Sequence, residues 1–88
     1  MGNKFDFDSA QEFAAMLTKA AEVMQTETEN INREFQVLGD TFRDQNYIEF
    51  KTDVDKATAT INNVASDIYA LRAAILDYAD KLSTVLNQ

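Results

Sequence analysis

Eighty-eight residues allow one small domain, with too little chain for a large private core. Without cysteine or histidine, disulfides are excluded, and the commonest metal ligand and general base are missing. The net charge of −7, with Lys and Arg scattered, offers nucleic acid no basic footprint and would be repelled by anionic membrane surfaces.

The first residues, Met1-Gly2-Asn3-Lys4-Phe5-Asp6, contain no apolar stretch of the kind a cleavable secretory signal carries. Asp6 stands where N-myristoylation requires Ser or Thr. Residues 1–8 read as an arm. Ser9-Ala10-Gln11-Glu12 then has the spacing of a capping box, with Asp8 an equally good cap, so a first helix is expected over about 9–38. Its apolar stripe runs Phe13, Leu17, Ala20, Met24, then polar Thr28, then Ile31, Phe35, Leu38 and Phe42. The steps average close to 3.6 residues, the period of a straight helix.

The chain has no proline, and Gly39 is its only glycine after Gly2. Leu38-Gly39-Asp40-Thr41-Phe42-Arg43-Asp44 is therefore the expected turn, over about 39–44. Gly39 suits a left-handed C-terminal cap. Asp40 and Asp44 are candidate binding determinants, but Asp44 also has the position of an N-cap for the second helix. Phe42 is expected to anchor the turn between the helices.

The second helix, about 45–86, would be roughly 60 Å long. Tyr47, Phe50, Val54, Ala57, Ile61, Val64, Ile68, Leu71, Ile75, Tyr78, Leu82 and Val85 alternate steps of three and four, a heptad seam suited to left-handed packing. Lys51/Asp55 and Asp77/Lys81 are opposite charges four apart on a solvated side. A flank of the seam changes character along its length. It begins with Lys51, Asp55, Thr58 and Asn62 and continues, around Arg72, with Ala65, Tyr69, Leu76, Ala79 and Leu86.

In an antiparallel hairpin the apolar end of that flank lies against residues 10–24, where Ala10, Ala14, Met16 and Val23 broaden the first stripe. Two helices cannot cover both flanks. A second hairpin is therefore expected at the open end, with an interface of Phe13, Met16, Leu17, Val23, Ala65, Tyr69, Leu76, Ala79 and Leu86. Burial at about 25 cal/mol per Å² would yield several kcal/mol there. The fold class is all-α: one antiparallel two-helix domain over 1–88, assembling as a four-helix bundle dimer.

The acidic residues give no catalytic constellation. Asp6/Asp8, Glu27/Glu29 and Asp53/Asp55 are two apart, so on a helix each pair diverges by about 200°. Neither the Glu-x-x-His pattern of di-iron bundles nor a calcium loop is present. Tyr47, Tyr69 and Tyr78 have no basic track beside them for nucleotide stacking and read as packing residues. No cofactor, metal, nucleic-acid partner or membrane partner is expected, and the chain is read as a non-enzyme.

The turn region resembles the WXG100 (ESAT-6-like) family of two-helix proteins with a central Trp-x-Gly turn. Phe42-Arg43-Asp44 stands at the Trp-x-Gly positions, with Leu38 four residues before and Tyr47 and Phe50 five and eight after. The similarity in length and helix placement covers nearly the whole chain. The family's export motif, Tyr-x-x-x-Asp/Glu, is not met, because Leu82 follows Tyr78 and Ala73 follows Tyr69 at that spacing.

The resemblance implies a hairpin that dimerises, with itself or with a similar small chain. It also implies export without a signal peptide by a type VII (Esx-type) system of Gram-positive bacteria, from a cytoplasmic folded state. The role would be that of substrate, or of adaptor for a larger secreted effector, with any missing export signal supplied by a partner. An intracellular coiled-coil or chaperone-like module is the alternative reading of the same residues.

Overall fold

The computed structural model describes residues 6–86. It contains two helices, α1 (Phe7–Thr41) and α2 (Gln45–Leu86), packed antiparallel against each other. Most of the expected N-terminal arm, residues 1–5, lies outside the described residues. The molecule is a rod measuring 66 × 20 × 15 Å. Its radius of gyration is 19.8 Å, against about 12 Å for a compact chain of this length.

Helix α1 begins earlier than the Ser9 or Asp8 caps would place it. The cap is Asp6, whose Oδ1 accepts the amides of Asp8 and Ser9 at 3.0 and 3.2 Å. The Ser9 hydroxyl donates to Asp6 Oδ2 at 2.9 Å. Ser9 therefore supports the cap from inside the first turn, and these bonds, led by the Ser9 side chain, hold the Asp6 carboxyl below its ordinary value. A carboxylate at this end also meets the positive pole of the helix.

The other end of α1 also differs from expectation. Gly39 is not a left-handed cap; it has no positive φ, and the helix continues through it to Thr41. The chain leaves the helix at Phe42, which has extended torsions (φ −128°, ψ 112°) and donates its amide to the Leu38 carbonyl at 3.0 Å. Asp44 does start α2, as expected: its Oδ1 accepts the Tyr47 amide at 3.0 Å. Arg43 closes the link through its Nε, which donates to the Gly39 carbonyl at 3.0 Å.

The contact between the helices is built from small side chains. Ala14, Ala21 and Thr28 recur every seven residues on α1; Thr58, Ala65 and, two repeats later, Ala79 follow the same spacing on α2, and all six are buried. Methyl and hydroxyl groups at the contact let two helix backbones approach closely. Only half of the expected seam faces α1. Tyr47, Val54, Ile61, Ile68, Ile75 and Leu82 are buried or half-buried, whereas Phe50, Ala57, Val64, Leu71, Tyr78 and Val85 are exposed.

This corrects the expected interface at two residues. Ala65, with no exposed surface, and Ala79 are consumed within the hairpin and cannot meet a second one. The cause is size: α2 turns its alanine and threonine row toward α1, and that rotation moves the bulky half of the seam outward.

Candidate interaction face

The exposed half of the seam on α2 precedes the contact row by roughly a quarter turn around the helix axis. On α1 the exposed residues Phe13, Ile31 and Leu38 precede their contact row by a similar angle. Two antiparallel helices rotated in the same sense present such stripes on the same side. The packing agrees. Leu38 and Phe42 from one stripe meet Phe50 from the other in a shallow cleft of about 250 Å³ beside the turn. The opposite side of the rod carries a different groove, where Gln11, Ala14 and Thr18 of α1 meet Arg72 and Leu76 of α2.

The shared face is about as long as the rod and as wide as two helices. Its footprint is on the order of 1,300 Å² for a 66 × 20 Å rod, well above the ~800 Å² that each partner contributes to an ordinary specific interface. The chain's accessible surface, 6783 Å², also exceeds the roughly 5,200 Å² of a compact monomer of this mass. Large apolar side chains, Phe13, Ile31, Leu38, Phe50, Val64, Leu71 and Val85, lie exposed along this face.

The expected interface residues separate in space. Phe13, Met16, Val23 and Leu86 are exposed; Leu17, Tyr69 and Leu76 are half-buried. Phe13 joins the shared face. Met16 and Val23 lie on the outer edge of α1, with Ala15, Lys19, Ala20 and Met24 around them. Tyr69 and Leu76 lie toward the opposite side, and the Tyr69 hydroxyl donates to Gln25 Oε1 at 3.4 Å. Sequence reasoning missed Val64 and Leu71 as outward-facing residues. The alanine and threonine spacing of seven was the signal that could have found them.

At the turn, the anchor is Tyr47 rather than Phe42, which is 60% exposed. The Tyr47 ring stacks on Phe35, with centroids 4.5 Å apart and planes 5° apart, and covers Gly39. Arg43 stands over the same ring at 5.7 Å from its centroid, within cation–π range. A Cβ on Gly39 would stand 2.7 Å from Cε2 of Tyr47 and nearer still to Cζ and Oη. Glycine is thus required here by a ring resting on the helix, not by backbone conformation.

Comparison with family models, curated proteins and solved structures finds no match to this chain.

The polar groups support packing and helix geometry. In the middle of the contact the Thr28 hydroxyl donates to the Gln25 carbonyl at 2.7 Å and stands 3.3 Å from Oδ1 of Asn62. The Thr58 hydroxyl is bonded to the carbonyls of Val54 and Asp55. Lys51–Asp55 and Lys81–Asp77 form the surface ion pairs their spacing indicated, each at 3.0 Å. Among the described residues no three acidic side chains gather where a metal could bind. None of the described helices is long and apolar enough to cross a membrane.

Proposed function

We propose that this chain acts by binding, as a WXG100-like helical hairpin of type VII secretion that pairs with a second small helical protein through the shared apolar face. One observation carries the reading. The side chains buried deepest between the helices are mostly alanines and threonines, and Phe13, Leu38, Phe50, Val64, Leu71 and Val85 stay exposed. A face of that size is costly to leave in water, at about 25 cal/mol per Å², and a second hairpin matches its length. The turn residues Leu38, Phe42, Asp44, Tyr47 and Phe50 support the family reading. The protein would leave the cell without a signal peptide, as substrate or as adaptor for a larger effector.

Deleting the type VII ATPase in the native host, then blotting the culture medium, tests the export role. The protein should disappear from the medium and accumulate in cells. Unchanged medium levels would instead favour an intracellular interaction module.

A further inference from the structure

The shared face is not uniformly apolar. On α1 the row Phe13, Ala20, Glu27, Glu34 projects from it, apolar toward the open end and acidic toward the turn. On α2 the row beside the exposed stripe contains Asp53 and Asp67, followed by Ala74 and Lys81. All four acids are exposed. The only cation in either row, Lys81, is engaged with Asp77 at 3.0 Å.

A second copy would answer these charges poorly in either orientation. With the turns together, Glu27, Glu34 and Asp53 of one chain would confront the same acids of the other. With the turns apart, they would overlie the Phe13/Ala20 end, where carboxylates would lose water without gaining a cation. Like charges across an interface select against a partner as strongly as contacts select for one.

We propose that this face is built for a different chain: a helical partner with an apolar stripe flanked by Lys or Arg opposite Glu27, Glu34, Asp53 and Asp67. This rests on the shared face being the docking surface. The net charge of −7 favours the same pairing at long range, because a basic partner is drawn in and a second copy is repelled.

A charge-reversed copy of the chain, E27K/E34K/D53K/D67K, serves as the basic probe. Sedimentation velocity would compare wild type, probe and their equimolar mixture at 50 and 500 mM salt. The mixture should form a one-to-one complex at least tenfold tighter than wild-type self-association at low salt, from several weak pairs acting together. The advantage should shrink at high salt. A neutral copy, E27Q/E34Q/D53N/D67N, should self-associate more tightly than wild type, which keeps the test valid if the probe folds poorly.

A wild-type dimer equally tight at both salts and unchanged by neutralisation overturns the proposal. If Leu71→Asp abolishes that dimer, the face itself still stands as the docking surface. No association in any mixture, with Leu71→Asp also without effect, removes both.

Discussion

Gly39→Ala should destabilise the hairpin, although alanine is the better helix former by about 1 kcal/mol. Gly39 lies in the last turn of α1 without a positive φ, so the substitution gains at most that propensity. The opposing effect is steric. The new methyl would stand 2.7 Å from Cε2 of Tyr47 and closer to its outer atoms, so the ring must move. Tyr47 is only 8% exposed and stacks on Phe35. An aromatic ring buries about 150–250 Å², so uncovering a third of it costs about 1–2 kcal/mol, and the lost stacking adds about 0.5–1.5 kcal/mol. The net expectation is a loss of about 0.5–2.5 kcal/mol. Urea unfolding followed by circular dichroism at fixed protein concentration measures it. In a Tyr47→Ala background the sign should reverse, because only the propensity gain remains. A stabilised Gly39→Ala single variant would refute the account of why this glycine is here.

Ala65→Leu should cost about 1–3 kcal/mol by forcing the helices apart, whereas Ala57→Leu, on the exposed stripe, should leave hairpin stability nearly unchanged in the same urea titration. Leu71→Asp should abolish the complex with the E27K/E34K/D53K/D67K probe seen by light scattering, and Leu76→Asp, toward the other side of the rod, should not. Asp44→Ala should lower stability by about 1 kcal/mol through loss of the α2 cap, visible as faster exchange of the Tyr47 amide. Asp6 has a lowered carboxyl value, so its contribution is present above the ordinary value of 3.8 and is lost as pH falls through the folded one. The protection factor of the Ser9 amide, taken against its intrinsic exchange rate at each pH, should fall as pH drops through the folded value, and Asp6→Ala should remove the dependence.

The hairpin itself was legible because its determinants are local. Two long periodic stretches meet at one glycine-containing, proline-free link, and Asp44 has the spacing of a cap. Which faces meet was less legible. A heptad seam identifies apolar positions, but Phe50 and Val64 fit it as well as Val54 and Ile61 do, so hydrophobicity could not decide between them. Volume decided: helices packed through Ala21 and Ala65 bury less apolar area per residue but bring more backbone into contact. Gly39 was misread for a related reason. Glycine near a helix end usually serves the backbone, whereas here the space above it belongs to Tyr47, eight residues later and on the other helix. The Asp6 cap was missed because Ser9 and Glu12 matched a stronger pattern nearby.

The alanine and threonine seam has a consequence for the chain's life in the cell. Among the described residues the buried apolar side chains are five alanines and Tyr47, and an alanine releases little water on folding compared with leucine or phenylalanine. Large apolar side chains such as Phe13, Leu38, Leu71 and Val85 stay exposed in the hairpin and would be buried only when something covers them. If a partner covers that face as proposed, folding and pairing become one equilibrium, with a midpoint that moves with partner concentration. A copy without its partner would spend appreciable time open and accessible to proteases. Abundance would thus be matched to that of the partner without any dedicated regulator.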